Sequence, residues 1–407
     1  MRVNTELAFP ILESAAPSVS VFGFVRRKSR AALLALLFLS GCAAGTRPAN
    51  APETRPKAVV LPRLVITRDT ETDIPTLYDR ALELGRNGRH AEAARAFDRV
   101  VALDPTGPLA DDALFQSGAE YDLGAELELS AQRYEELARR YPSSELARTA
   151  LARGVRVLSH LEAWPRAGML ARTLLVFESE LGPFDRVAAY AAAAIDGLER
   201  GDERAASTFI ERGRALIDER GLDAAGRITR DLGALYFALG ELRRRRAARI
   251  TFDPFPPDFA NVLERRCQLL LDAQSAYSDA MRAHDAHWST MAGVRVGELY
   301  QGLHHDLMRV PLPQSADTLE KRQLFEGALR LRYAVLLQTA LRMIEHTLTM
   351  AERAGERSAW VDRGRAARAA VESEARAEEA AIAKLPFSKL TLEAALEELG
   401  RRHQKKE

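Results

Sequence analysis

Imidazole, thiol and clustered guanidinium groups are sparse in this 407-residue chain, so each can be weighed singly. Four of the eight histidines form two groupings, His284-x-x-His287 and His304-His305-Asp306. Imidazole beside carboxylate suits zinc, and two such groups on facing helices would make a site. Neither an H-E-x-x-H pair nor a cysteine pair accompanies them, and His284 and His287 fall at an apparent helix end, where polar residues are ordinary; no metal and no cofactor are assigned. The densest positive cluster is Arg243-Arg-Arg-Arg246, followed by Arg249. On a helix such a run covers more than one face, so at least one arginine must turn toward a packed neighbour or its carboxylate. Guanidinium forks grip carboxylates and phosphates, which makes Arg243 and Arg246 candidates for an acidic partner segment or lipid headgroups; the alternative is a solvated face balanced by acids on adjacent helices. Cys267, in Arg266-Cys-Gln-Leu-Leu-Leu271, reads as a small buried apolar residue rather than a reactive thiol. The sequence holds no Gly-rich phosphate loop, nucleophile elbow or catalytic dyad, and the chain is read as a non-enzyme.

The elements that carry these groups are helical. Leu, Ala, Arg and Glu dominate, aromatic residues are 7%, and β-branched runs are missing, a mixture that loses little side-chain entropy in helices. The balance of 58 basic against 57 acidic residues gives no broad attraction to phosphate backbones, so nucleic acid is not an expected partner. The length is awkward for one core and comfortable for a solenoid, in which contacts run between neighbours.

The other cysteine has distinct surroundings. Arg26, Arg27, Lys28 and Arg30 precede the run Leu33-Leu-Ala-Leu-Leu-Phe-Leu-Ser-Gly-Cys42, a basic n-region followed by an apolar h-region too short for the ~20 residues that span a bilayer. Leu39-Ser40-Gly41-Cys42 resembles the lipobox of bacterial lipoproteins. That resemblance implies cleavage between Gly41 and Cys42 and acylation of the Cys42 thiol, with residues 1–41 as signal peptide. An ordinary secretory signal is the alternative. Ala43 stands where an aspartate would resemble the inner-membrane retention signal, which leans the expectation toward the outer membrane. Met1 to Phe24 form an odd prefix, and a true start near Val25 would explain it. Pro48, Pro52, Pro56 and Pro62 forbid a persistent helix, so residues 42–74 are expected to form a tether reaching roughly 90 Å in polyproline geometry. Within it, Val59-Val-Leu-Pro-Arg-Leu-Val-Ile66 is apolar enough to dock on the body or on a partner.

Behind the tether, Leu114, Ser117, Gly118 and Tyr121 share one helical stripe, and Tyr134, Leu137, Ala138 and Tyr141 repeat the spacing before Pro142 ends the helix. Gly118 permits close approach of a second helix. The small-residue, aromatic and terminal-proline pattern resembles the tetratricopeptide (TPR) repeat, and the interval from Pro105 to Pro142 is slightly longer than its ~34 residues. The junction Tyr141-Pro-Ser-Ser144 resembles that of TPR lipoproteins of outer-membrane assembly complexes. Related hairpins carry Leu77, Tyr78, Ala81 and Leu84 with Ala93, Ala94, Phe97, Val100 and Val101, turning at Gly88; Leu151, Val155 and Leu158 with Ala167, Ala171 and Leu174; and Tyr190 and Ala194 with Ala206, Ile210 and Gly213, turning at Gly201-Asp202. A fifth hairpin has Leu232, Gly233 and Tyr236 with Gly240 expected at its turn. Residues 75–253 thus read as a TPR solenoid of about five repeats, more than the ~3 a stable stack needs.

The cluster Asp253-Pro-Phe-Pro-Pro257 is the expected boundary. Residues 258–407 read as degenerate TPR-like hairpins that extend and cap the stack, with helices over 258–284, 288–308, 317–354 and 360–383 and another from Thr391; a separate bundle is the alternative. The fold class expected is all-α, an α-solenoid. The resemblance implies a lipid-anchored periplasmic adaptor on the outer membrane whose concave groove, lined by first helices of hairpins, holds a peptide or helix of another envelope protein. Arg80, Gln116 and Glu120 are the groove-side candidates. Two other readings stand beside it: an envelope enzyme or cell-wall-binding protein with its site in 258–407, which a deep polar pocket there would favour and continuous stacking would disfavour, and a structural protein self-associating through Trp360 or the Ala/Glu helix after it.

Overall fold

The computed structural model describes residues 73–224, 228–312 and 316–394, all within one compact unit. Among them the chain forms thirteen α-helices and no strand: α1 (Ile74–Arg86), α2 (His90–Leu103), α3 (Ala110–Leu123), α4 (Leu127–Arg140), α5 (Leu146–His160), α6 (Trp164–Leu174), α7 (Pro183–Glu199), α8 (Glu203–Arg220), α9 (Arg230–Ala248), α10 (Phe259–Met281), α11 (Ala286–Met308), α12 (Leu319–Ala354) and α13 (Ala359–Ala383). A 3₁₀ turn, Leu175–Glu180, prolongs α6, and residues 389–394 are helical again. No helix of the described residues is long and apolar enough to cross a membrane. Cys42, Gly41 and the tether lie outside the described residues.

Local signals set the helix ends. The Asp73 carboxylate accepts from Thr76 N–H at 3.1 Å and Pro75 opens α1; Asp202 caps α8 through Ala205 N–H at 3.0 Å. The turns at Gly88 and Gly201 fall where the sequence puts them, both with positive φ. Gly118 does what its place on the stripe implies: a Cβ there would sit 2.8 Å from a Tyr134 ring carbon, so the Tyr134 ring of α4 lies directly against the α3 backbone.

Each helix packs antiparallel on the next, and the odd-numbered helices from α3 to α13 also pack on one another in sequence, forming one layer with the even-numbered helices behind it. The fold is therefore an α-solenoid of TPR-like hairpins continuing through α13. Gly240 is a correction: it is no turn but lies inside α9, where a Cβ would meet the fully buried Tyr277 ring at 2.5 Å. The fifth hairpin closes by pairing α9 with α10 across the proline cluster, because Gly240 is needed for that approach and the prolines make the reversal.

Helix α7 joins two hydrophobic cores. Ala189, Ala192 and Ala193 pack into the core of α1–α6, whereas Val187, Tyr190, Ala191 and Ala194 pack into the core that runs on to Trp360. Every residue from Val187 to Leu198 is buried, as a helix apolar all round must be. Its alanines are small enough for neighbours to close over it.

Candidate functional site

A cluster of polar groups spans that closure. Arg156 on α5 reaches across α7: its Nε and Nη2 each donate to Asp231 on α9 at 2.9 Å, and Nη1 lies 2.8 Å from Asp185 on α7. Burial lowers the guanidinium pKa, but the two carboxylates outweigh it and hold the charge in place. The inner face between α5 and α9 is thus occupied by the chain's own side chains.

At the end of α5 the turn through Leu161 and Glu162, the latter at φ 56, aims side chains at the heads of two late helices. His160 meets His287 of α11 with ring centroids 4.2 Å apart, and Trp164 meets Trp288 at 6.3 Å. Trp360, opening α13, donates its Nε1–H to Glu162 Oε1 at 2.6 Å. Its ring lies between the guanidinium carbons of Arg295, 5.0 Å away, and Arg363, 4.6 Å away. Burial raises the Glu162 pKa, opposed by the Trp360 bond and the two arginines. Asp285 caps α11 by accepting from Trp288 N–H at 3.0 Å, which fixes His287 and Trp288 in the first turn.

A buried ionic chain continues from there. The Glu241 carboxylate on α9, 4% exposed, accepts from Tyr277 O–H at 2.7 Å and Arg244 Nη2 at 2.7 Å, and lies 2.8 Å from Arg295 Nε as an ion pair. Arg295 passes to Glu298 at 2.8 Å and Glu298 to Arg363 at 2.6 Å. Burial alone would raise the Glu241 pKa, yet Arg295, Arg244 and Tyr277 lower it overall. Charge pairs and ring contacts therefore bind α5, α9, α11 and α13 into one junction.

Its imidazoles are packed among these charge pairs and rings. His287 is 3% exposed, and burial together with His160 lowers its pKa to about 4; burial and Arg230 lower that of His160. Beside it lies a niche of about 10 Å³ lined by Arg156, Ser159, Arg230, Asp231 and Trp288, room for no more than one water. A larger cleft of about 210 Å³, lined by Ile250, Thr251, Phe252, Asp253, Asp306 and Arg309, opens elsewhere on the surface. Among the described residues no group of three or more His, Cys, Asp or Glu side chains is placed to hold a metal. His284 and His287 do not converge on a common centre: His284 sits in the turn at φ 51, whereas His304 is buried and His305 pairs with Glu374 at 2.9 Å. Cys267 is buried, and burial pushes its thiol up to about 11.

The partner candidates fall in two places. Arg80 is exposed on α1. Gln116 is half-buried on α3, its amide 3.4 Å from Asp112, and Glu120 turns toward the preceding hairpin, with its carboxylate 2.7 Å from His90 Nδ1 and against Gly85. Arg243 and Arg246, the candidates for an acidic partner segment or lipid headgroups, also make contacts within the chain: Arg243 donates to the Asp272 carbonyl at 2.6 Å and Arg246 to Glu203 at 2.7 Å. Arg244 goes to Glu241, Arg245 to Glu199 and Arg249 to Glu203, so the run staples α9 to α7, α8 and α10. A helix with arginines on every side must place them against something, and here it is the neighbouring helices. Sequence reasoning missed the junction itself. The signal for it was a glutamate, Glu241, in the apolar stripe Leu239-Gly-Glu-Leu242, and three tryptophans in a chain otherwise poor in them.

No known protein family matches the sequence, and no curated protein is detectably similar. Among solved structures, a tetratricopeptide repeat protein from Parabacteroides merdae aligns over 69% of this chain and 98% of its own, at 12% identity and a TM-score of 0.34. A circular tandem repeat protein aligns over 76% of this chain and 77% of its own, at 14% identity and a TM-score of 0.17. Likenesses of that degree carry no argument about function, and the all-α hairpin architecture stands on the helices of this chain.

Proposed function

We propose that the chain is a lipid-anchored scaffold of the bacterial cell envelope, held on the periplasmic face of the outer membrane by acylated Cys42 and binding a protein partner. The observation that carries the scaffold reading is hairpin stacking that continues among the described residues to α13. It favours a scaffold over an enzyme housed in residues 258–407. The anchor reading rests on Leu39-Ser40-Gly41-Cys42 and the basic and apolar runs before it. Because Arg156 and Asp231 fill the inner face between α5 and α9, recognition falls to the first two hairpins, where Arg80 is exposed and Gln116 half-buried.

The test is metabolic labelling with an alkynyl fatty acid, combined with photo-crosslinking from Arg80 and Gln116 in native envelopes. Label on the wild-type chain but not on Cys42→Ser, together with a discrete adduct to a second polypeptide, is the expected result. An unlabelled wild-type chain overturns the anchor, and no adduct from either position overturns the recognition surface.

A further inference from the structure

The three tryptophans of the chain all lie at the junction, Trp164 and Trp288 facing each other and Trp360 bound to Glu162. The polar contact at its centre is unusual: among the described residues neither ring nitrogen of His287, nor Nδ1 of His160, has a hydrogen-bond partner. We propose that the junction is an acid-released latch, in which the adjoining rings of His160 and His287 take up protons below neutral pH and part, separating the α5–α6 turn from the heads of α11 and α13.

The geometry supports neutral rings and opposes charged ones. At 4.2 Å and 41° the two imidazoles pack as aromatic neighbours, and two imidazolium ions at that distance repel in a site shielded from water. The charged groups facing them come from every element packed there. From α9, Arg230 adds a positive charge and lies 3.5 Å from Asp285, the α11 cap. From the α12–α13 turn, Glu356 lies 3.9 Å from His287 Nδ1 and already accepts the Ser358 N–H at 2.9 Å. From α5, Arg156 is committed to Asp185 and Asp231, and from the α5–α6 turn Glu162 is committed to Trp360. Asp122 of α3 acts on His160 from farther off. Glu356 and Asp285 can balance one added proton. A second proton, on His160, faces both the first imidazolium and Arg230. The contact therefore tolerates one charge and fails with two. Burial and Arg230 lower the His160 pKa, and burial and His160 lower that of His287, so both rings are neutral in the closed state at neutral pH.

The latch is independent of the anchor and of the partner, and its test is direct. Tryptophan emission and small-angle scattering are recorded on the purified protein from about pH 7.5 to 3.5, with far-ultraviolet circular dichroism alongside. The expected result is a reversible red shift and a larger radius of gyration with helix content unchanged, both abolished in His160→Gln/His287→Gln. Should the double variant fail to fold, His287→Phe keeps a ring against His160 without a site for the second proton, and must lose the response equally. Constant dimensions across the range overturn the latch. So does expansion that the variants share, and so does expansion that coincides with loss of helix, since that is general acid unfolding.

Discussion

Replacing Glu241 by glutamine tests whether the buried ionic chain is a structural necessity. The substitution keeps shape and one acceptor for Tyr277 O–H, but removes the charge that Arg244 and Arg295 face at 2.7 and 2.8 Å. Breaking a buried pair by removing one partner costs about 3–5 kcal/mol, because the other charge stays desolvated. Arg295 keeps Glu298 and the Arg244 side chain is 28% exposed, which places the expected loss at the lower end, about 3 kcal/mol. For a chain of this size, at about 2 cal/mol/K of unfolding entropy per residue, that corresponds to a Tm lower by roughly 4 °C. Urea unfolding followed by tryptophan emission measures it, since Trp360 lies over Arg295 in the same network. In an Arg295→Met background one of the stranded charges is gone, so the cost of Glu241→Gln should shrink by more than about 1 kcal/mol. A loss under about 1 kcal/mol for the single variant, or simple additivity in the double, refutes the view that this carboxylate neutralises the arginines at the centre of the stack.

Other outcomes follow from the same geometry. Gly240→Ala puts a methyl group 2.5 Å from the rigid Tyr277 ring; the α9–α10 hairpin should lose about 1–3 kcal/mol in the same unfolding experiment, while Gly302→Ala, with open space around it, should lose far less. Unfolding free energy should depend on pH through His287, whose folded pKa of about 4 lies below the usual 6.5. The unfolded chain binds the extra proton, so the contribution is full above pH 6.5 and drains away as pH falls toward 4, by about 3 kcal/mol in all. His287→Phe should flatten that part of the curve, measured by urea titrations at stepped pH.

The hairpins were legible because their signals are local. Gly118 with Tyr134, the stripe Leu151, Val155 and Leu158, and the turns at Gly88 and Gly201 all depend on residues a few positions apart, and each stands where spacing implies. Gly240 was misread for the opposite reason. A glycine inside a helix and a glycine after one look alike until the partner that needs the space, Tyr277 on the far side of five consecutive proline-cluster positions, is known. The junction was illegible in principle from short-range pattern: His160 and His287, or Glu162 and Trp360, lie far apart in the chain and meet only through the packing of several hairpins. The arginine run fell between these cases. Its need for neighbours was visible, but which oxygens would supply them, the Asp272 carbonyl or Glu203, depended on α8 and α10.

The bond between Trp360 and Glu162 spans 198 positions of chain. Hairpins assemble from near neighbours and need no distant segment, so most of this stack can form quickly and in order as the polypeptide emerges. The Trp360 contact cannot: its loop must close last, after the final long helices have been made. Until then the α5–α6 turn presents the Glu162 carboxylate to whatever surrounds the growing chain, and arrival of α13 covers it.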